Sequence, residues 1–273
     1  MSDAPRFTDA PQPARTGADA TARPTARPAV RPAAPLARTP ESHTRIPHDT
    51  ARRTLAASRT RTAFSAPRAT EFLTADLSAT TELLRDLPHH RAFAGVRIGP
   101  LLLLARATLL ALRARPALGD AWDGERGEIV RRPRIRLALT SPGPRGALTP
   151  AIPAAETLGL RALADAIESA EDRAADGTVS AEDARPATIT LTDFGAHGID
   201  RATPPLGDGQ AAAIGLGRIR PRAWMSGADV AVRDVGTLSL TIDHRLTDGD
   251  EGAAFLADIA RMLGEPNELL ARS

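Results

Sequence analysis

Along residues 155 to 175 apolar side chains recur at helical spacing. Leu160, Leu163, Ile167 and Ala170 share one face, Asp and Glu take the other, and Gly177 stands as a stop. The segment GAAFLADIARML near the C-terminus shows the same spacing, with Phe255, Ile259 and Leu263 in one stripe that predicts a helix packed on a sheet. Between 101 and 112 the run LLLLARATLLAL is apolar almost all round. It is too long for a strand, Arg106 interrupts it, and it falls short of the ~20 residues that span a bilayer, so it predicts a buried helix. Residues 51 to 63 read as a further helix, ahead of a break at Pro67.

Other stretches alternate with a period of two. RATEFLTADLSA reads as a strand that leads, through Ser78 as a cap, into the short helix ATTELLRDL. EIVRRPRIRLALT alternates arginine with Ile, Val and Leu as two half-buried strands would. ATITLTD, AAAIGLGRI and VAVRDVGTLSLTID give three more strands, the last two in the long style of an antiparallel sheet. No period of 20 to 50 residues recurs, which argues against a solenoid or propeller. The mixture predicts an α+β domain over residues 45–273.

Residues 1–44 lack this patterning. The first 40 contain 8 Pro and 11 Ala with scarcely any large apolar side chain, too little burial to offset the entropy of ordering. A disordered, Pro-stiffened Pro/Ala/Arg-rich tether is expected there. Its six Arg against three Asp would suit a presequence or an anion-binding arm, but the Pro density opposes an amphipathic presequence helix.

Composition narrows the chemistry by what is missing. The chain has no Cys, no Tyr and no Lys. Without Cys there is no thiolate nucleophile, disulfide or Cys-based zinc site. Without Lys there is no Schiff base, and no amine within these residues to carry lipoate or biotin, so a swinging-arm group is expected in trans. All 35 basic residues are arginine, which explains a pI near 10.5 beside a formal charge of only +2. The high pI is therefore no sign of nucleic-acid binding, and no membrane association is expected.

One histidine stands where chemistry would be held rigidly. His244 follows directly on the alternating TLSLTID, and Asp248-Gly249 is a turn dipeptide before the last helix. A histidine is suited to taking a proton from a thiol at neutral pH, and Asp248 could fix the loop or bias the tautomer. A strand-turn-helix junction whose polar groups only satisfy one another would carry the same letters.

The context extends the motif. DHRLTDGDEGAAFLADIARML resembles the catalytic signature of the dihydrolipoamide acyltransferases, the core components of 2-oxo-acid dehydrogenase complexes. Upstream, ATITLTDFGAHGIDRATPPLGDGQAAAIGLGRIRPR is similar to the family's TFT-x-[ST]-N-x-G, G-x-x-x-[AT]-P, Gln and G-R-I sequence, and PRGALTPAI to its P-x-G-L-x-x-P-V turn. The resemblance covers about residues 45 to 267 and implies a chloramphenicol-acetyltransferase-like α+β sandwich, with a mixed sheet flanked by helices. It also implies homotrimers, or multiples of trimers, with active sites between neighbouring subunits.

By the same resemblance, an acyl group passes from a dihydrolipoyl thioester to coenzyme A, without a metal. His244 matches the general base, Asp248 the acid of the signature, and Thr192 the hydroxyl that donates to the oxyanion. The implied partners are a lipoyl-bearing protein and dehydrogenase subunits, in a cytoplasmic setting. Asp193 stands where the family usually has Asn, and Arg68 where it often has His after the Pro. A non-catalytic trimeric core or assembly subunit is the alternative these departures leave open.

Overall fold

The computed structural model describes residues 53, 56, 57, 60 and 63–271, apart from 145, 181 and 184. The tether expected over 1–44 lies outside them. Residues 53, 56, 57, 60 and 63–65 are helical, in line with the helix predicted for 51 to 63.

Nine strands follow: β1 (Arg68–Asp76), β2 (Ala121–Asp123), β3 (Glu128–Val130), β4 (Leu137–Thr140), β5 (Ala151–Ile152), β6 (Ile189–Asp193), β7 (Ala212–Leu216), β8 (Arg220–Ser226) and β9 (Asp229–Asp243). The helices are α1 (Ser78–Asp86), α2 (Pro100–Ala114), α3 (Leu160–Ala175), α4 (Gly249–Gly264) and α5 (Asn267–Ala271). None of the described helices is long and apolar enough to cross a membrane.

The main sheet runs β1-β9-β7-β6-β4-β5, with β8 also paired to β9. β6 is parallel to β4 and β7, and the remaining pairs are antiparallel. Alternation along each strand decides its two faces. Leu137, Leu139, Ile189, Leu191, Ile214, Leu238, Leu240 and Ile242 enter one core with the apolar stripes of α2, α3 and α4. α2 is buried along nearly its whole length, as its composition requires, and its Arg106 donates from Nη1 to Leu158 O at 3.4 Å. The opposite face is hydroxyl-rich: Thr70 bonds Thr241 (3.2 Å), Thr74 bonds Thr237 (3.0 Å), and Thr192 donates to Thr140 (2.9 Å).

The parallel step from β6 to β7 requires a crossover, and residues 194 to 211 make it. Gln210, buried at its end, accepts from Gly207 N (2.9 Å) and donates to Thr190 Oγ1 (2.9 Å) and Ala187 O (3.3 Å). Gly215 has no side chain because Phe194 fills the space where a Cβ would stand.

Three details depart from the sequence patterning. Ser78 is not the cap of α1: it is the first helical residue, and both its N–H and its hydroxyl donate to Asp76 Oδ1 (2.9 and 2.6 Å). EIV is not half-buried: all three residues of β3 are exposed, and β3 pairs only with β2 in a separate hairpin. β8, which contains Pro221, was not anticipated; proline is tolerated there because β8 is an edge strand.

Candidate active site

His244 leaves the end of β9, and its backbone N–H donates to Pro67 O (2.8 Å), which ties the turn to the start of β1. The preceding Asp243 is buried and binds Arg245 in a fork, with Nε 2.9 Å from Oδ1, while the Arg245 N–H bonds the same oxygen at 3.1 Å. The Arg245 guanidinium also stacks on Trp122, 5.2 Å from the ring centre. This lock holds the backbone on both sides of His244. The imidazole itself is half-exposed, with Nδ1 3.7 Å from Asp248 Oδ1. That distance is an ion-pair approach rather than a hydrogen bond. Asp248 is the N-cap residue of α4, without a side-chain cap bond, and its side chain is 91% exposed.

Thr192 lies elsewhere. It is buried on the hydroxyl-rich face of β6, in register with Gly215 of β7, and Gly215 in turn faces Ser239 of β9. His244 is five residues beyond Ser239. At ~3.3 Å per residue and ~4.8 Å per strand, Thr192 is therefore roughly 16 Å along the sheet and about 10 Å across it from His244. One chain brings His244 and Asp248 together and keeps Thr192 apart.

Beyond the carboxyl ends of β4 and β6, next to Thr192, is a cleft of about 310 Å³ lined by Thr140, Ser141, Asp193, His197, Glu171 and Arg97, among others. This is where parallel strands end and where sheets of this kind commonly bind ligands. Asp193 Oδ1 accepts from Ala196 N (3.1 Å), in the short turn Gly195–His197. Burial raises the Glu171 pKa above the ordinary glutamate value; Arg97 opposes this, and Asp172 and Asp193 add to it. A larger surface hollow of about 490 Å³ between α1 and the end of α4 holds none of the three predicted residues. Among the described residues no group of three or more His, Asp or Glu could hold a metal ion.

Residues 40–271 match the catalytic domain of the 2-oxoacid dehydrogenases acyltransferase family. The chain belongs to that family. A relative, the dihydrolipoyllysine-residue acetyltransferase component of the pyruvate dehydrogenase complex of Staphylococcus aureus, is 28% identical over 231 residues, 85% of this chain and 53% of the relative. The corresponding component of the acetoin cleaving system of Bacillus subtilis is 30% identical over 197 residues, 72% and 49% of the two chains. The chain thus spans about half the length of these relatives. Among solved structures, the dihydrolipoamide acetyltransferase of Azotobacter vinelandii superposes with a TM-score of 0.79 at 21% identity, covering 84% of this chain and 94% of that one.

The acyltransferase-family sandwich implied by the sequence is therefore the fold: a mixed sheet, with helices on one face and the crossover on the other. Two neighbours of the predicted residues and their turn were not foreseen. Thr140 shares its hydroxyl with Thr192 across two parallel strands, a pairing that only register creates. Glu71 stands on β1 against the first turn of α4, and its signal was present in the pattern: an acid in the alternation Ala69, Glu71, Leu73, Ala75, where the other three pack on the core.

Proposed function

We propose that the chain is an acyltransferase that moves an acyl group between a dihydrolipoyl thioester and coenzyme A, at sites shared by neighbouring copies in a trimer or a multiple of trimers. The observation that carries this reading is the separation of His244 from Thr192 within a family whose catalytic domain covers most of the chain. Each copy supplies one half of a site. These 273 residues contain no lysine, so the lipoyl group comes from outside them, on a lysine of another segment or protein.

Nδ1 of His244 faces Asp248, which leaves Nε2 for the thiol. Nε2 takes the proton of the coenzyme A thiol, and the thiolate adds to the thioester carbonyl, forming the new C–S bond. The carbonyl oxygen becomes an oxyanion that accepts a hydrogen bond from Thr192 of the adjoining copy. Collapse breaks the C–S bond to the dihydrolipoyl sulfur, which recovers the proton from His244. In the chain alone the Thr192 hydroxyl donates to Thr140, and in the reaction it turns that proton to the oxyanion.

The test is complementation. Purified protein given acyl-dihydrolipoamide and coenzyme A is expected to form acyl-coenzyme A, with His244→Ala and Thr192→Ala each reducing turnover at least a hundredfold. Co-expression of the two variants should restore part of the activity, because a mixed trimer contains a site with both residues intact. Full turnover in His244→Ala, or no recovery in a mixed trimer shown to have formed, would sink the reading.

A further inference from the structure

Glu71 stands on the helix-facing side of β1, opposite Leu240, in a row whose other members are apolar. Its carboxylate lies against the first turn of α4. A methyl group at Gly252 would come within 3.2 Å of both carboxylate oxygens, and one at Gly249 within 3.5 Å of Oε1. Gly252 therefore leaves a slot for it, while a methyl group at Gly249 would make only ordinary contact. Inside the slot, Oε2 is buried and has no hydrogen-bond partner among the described residues.

An unpaired acid in a core-facing row costs stability, and nothing in the packing requires it. Burial first, and Asp250 second, raise the Glu71 pKa above the ordinary glutamate value, while His244 pulls it down. For an acid raised on folding, the cost is present at neutral pH and disappears as pH falls through the folded-state value. The carboxylate lies beside Gly249, and the preceding residue, Asp248, has Oδ1 3.7 Å from Nδ1 of His244, so acid and imidazole flank the same turn. The other charged groups here are Asp248, Asp250 and Glu251 at the start of α4, and Arg68 at the start of β1; Arg245 is taken up by Asp243.

We propose that Glu71 is a positioning residue for His244: its carboxylate, wedged between β1 and the first turn of α4, stabilises the imidazolium that forms when His244 takes the thiol proton. Asp248 is nearer in sequence but almost fully exposed, so water and salt screen it. One oxygen of Glu71 is buried, where screening is weaker. The inference rests on His244 as the base.

Glu71→Gln in the whole protein tests it, because the amide keeps the shape and removes the charge. The acid limb of the kcat/KM profile, and the titration of the His244 ring followed by NMR, should both move to lower pH by about half a unit or more. Asp248→Asn should move them less. The melting temperature of Glu71→Gln at neutral pH should equal or exceed that of the wild type, the opposite of what a structural acid would give. Gly252→Ala, which crowds the carboxylate out of its slot, should shift the ring titration in the same direction with Glu71 present. An unmoved ring titration in Glu71→Gln overturns the inference, whether or not the protein turns over. A shifted titration together with full turnover in His244→Ala would uphold the coupling and sink the base assignment instead.

Discussion

Thr192 and Thr140 are two hydroxyls on neighbouring parallel strands, 2.9 Å apart, with Thr192 donating to Thr140. In the proposed reaction Thr192 must turn its proton from Thr140 to the oxyanion. Removal of Thr140 leaves the donor but loosens its aim. Thr192→Val should therefore lower kcat about a hundredfold or more with little change in KM, and Thr140→Val should lower it roughly tenfold. Equal rates in Thr140→Val and wild type would separate Thr140 from the reaction. At this scale the sequence was uneven. His244, Asp248 and Thr192 were singled out through the resemblance of the segments around them. Thr140 was not, because its role depends on a strand about fifty residues away, and Glu71 was visible only as an acid in an apolar row.

Between elements, the connection from α3 to β6 is held by one carboxylate. Ser180 donates both its N–H (2.9 Å) and its hydroxyl (2.7 Å) to Asp183 Oδ2, Asp183 N donates back to Ser180 Oγ (3.1 Å), and Arg173 reaches Oδ1 at 2.8 Å from the last turn of α3. Burial alone would raise the Asp183 pKa, but the hydrogen bonds from Arg173 and Ser180 outweigh it and hold the value at about 2. An acid lowered on folding stabilises the protein above its unfolded value and loses that contribution as pH falls toward the folded one. Asp183→Asn should thus cost about 2 kcal/mol at pH 7 and flatten the stability decline between roughly pH 5 and pH 2, measured by urea denaturation across that range. An unchanged decline would remove Asp183 from this role. The helix of α3 and the stop at Gly177, where φ is +69°, followed from spacing alone; this clasp did not, since it joins a helix end to a loop through tertiary approach.

At the level of the molecule, β1 ends opposite Val235, so residues 229 to 234 of β9 pair with β8 alone. The resulting ribbon has two unlike faces. Arg220, Arg222, Trp224 and Arg233 occupy one, and Arg220 and Arg222 share Asp200 at 2.7 and 3.0 Å. Pro221, Ala223, Met225, Val230 and Val232 occupy the other, where Met225, Val230 and Val232 are 61, 68 and 76% exposed. An isolated two-stranded ribbon is only marginally stable, and an apolar face of this kind marks an interaction surface. In the proposed trimer a second copy covers it. Val232→Asp should therefore lower the mass in solution to that of smaller species and abolish acyl transfer, while circular dichroism shows a folded chain. An unaltered assembly would place the subunit contact elsewhere.

The amino-acid pattern by itself determined the helices α2, α3 and α4, the alternating strands β1, β6, β7 and β9, and the exclusion of cysteine and lysine chemistry. Each of these depends on the character of neighbouring residues along the chain, or on a side chain that is simply missing. Only the tertiary structure decided that Thr192 stands far from His244, that Glu71 fills a slot left by Gly252, and that β8 forms a ribbon with one bare face. Those relations are set by which strand pairs with which, and in what register, so residues distant in sequence become neighbours and neighbours in one motif are driven apart.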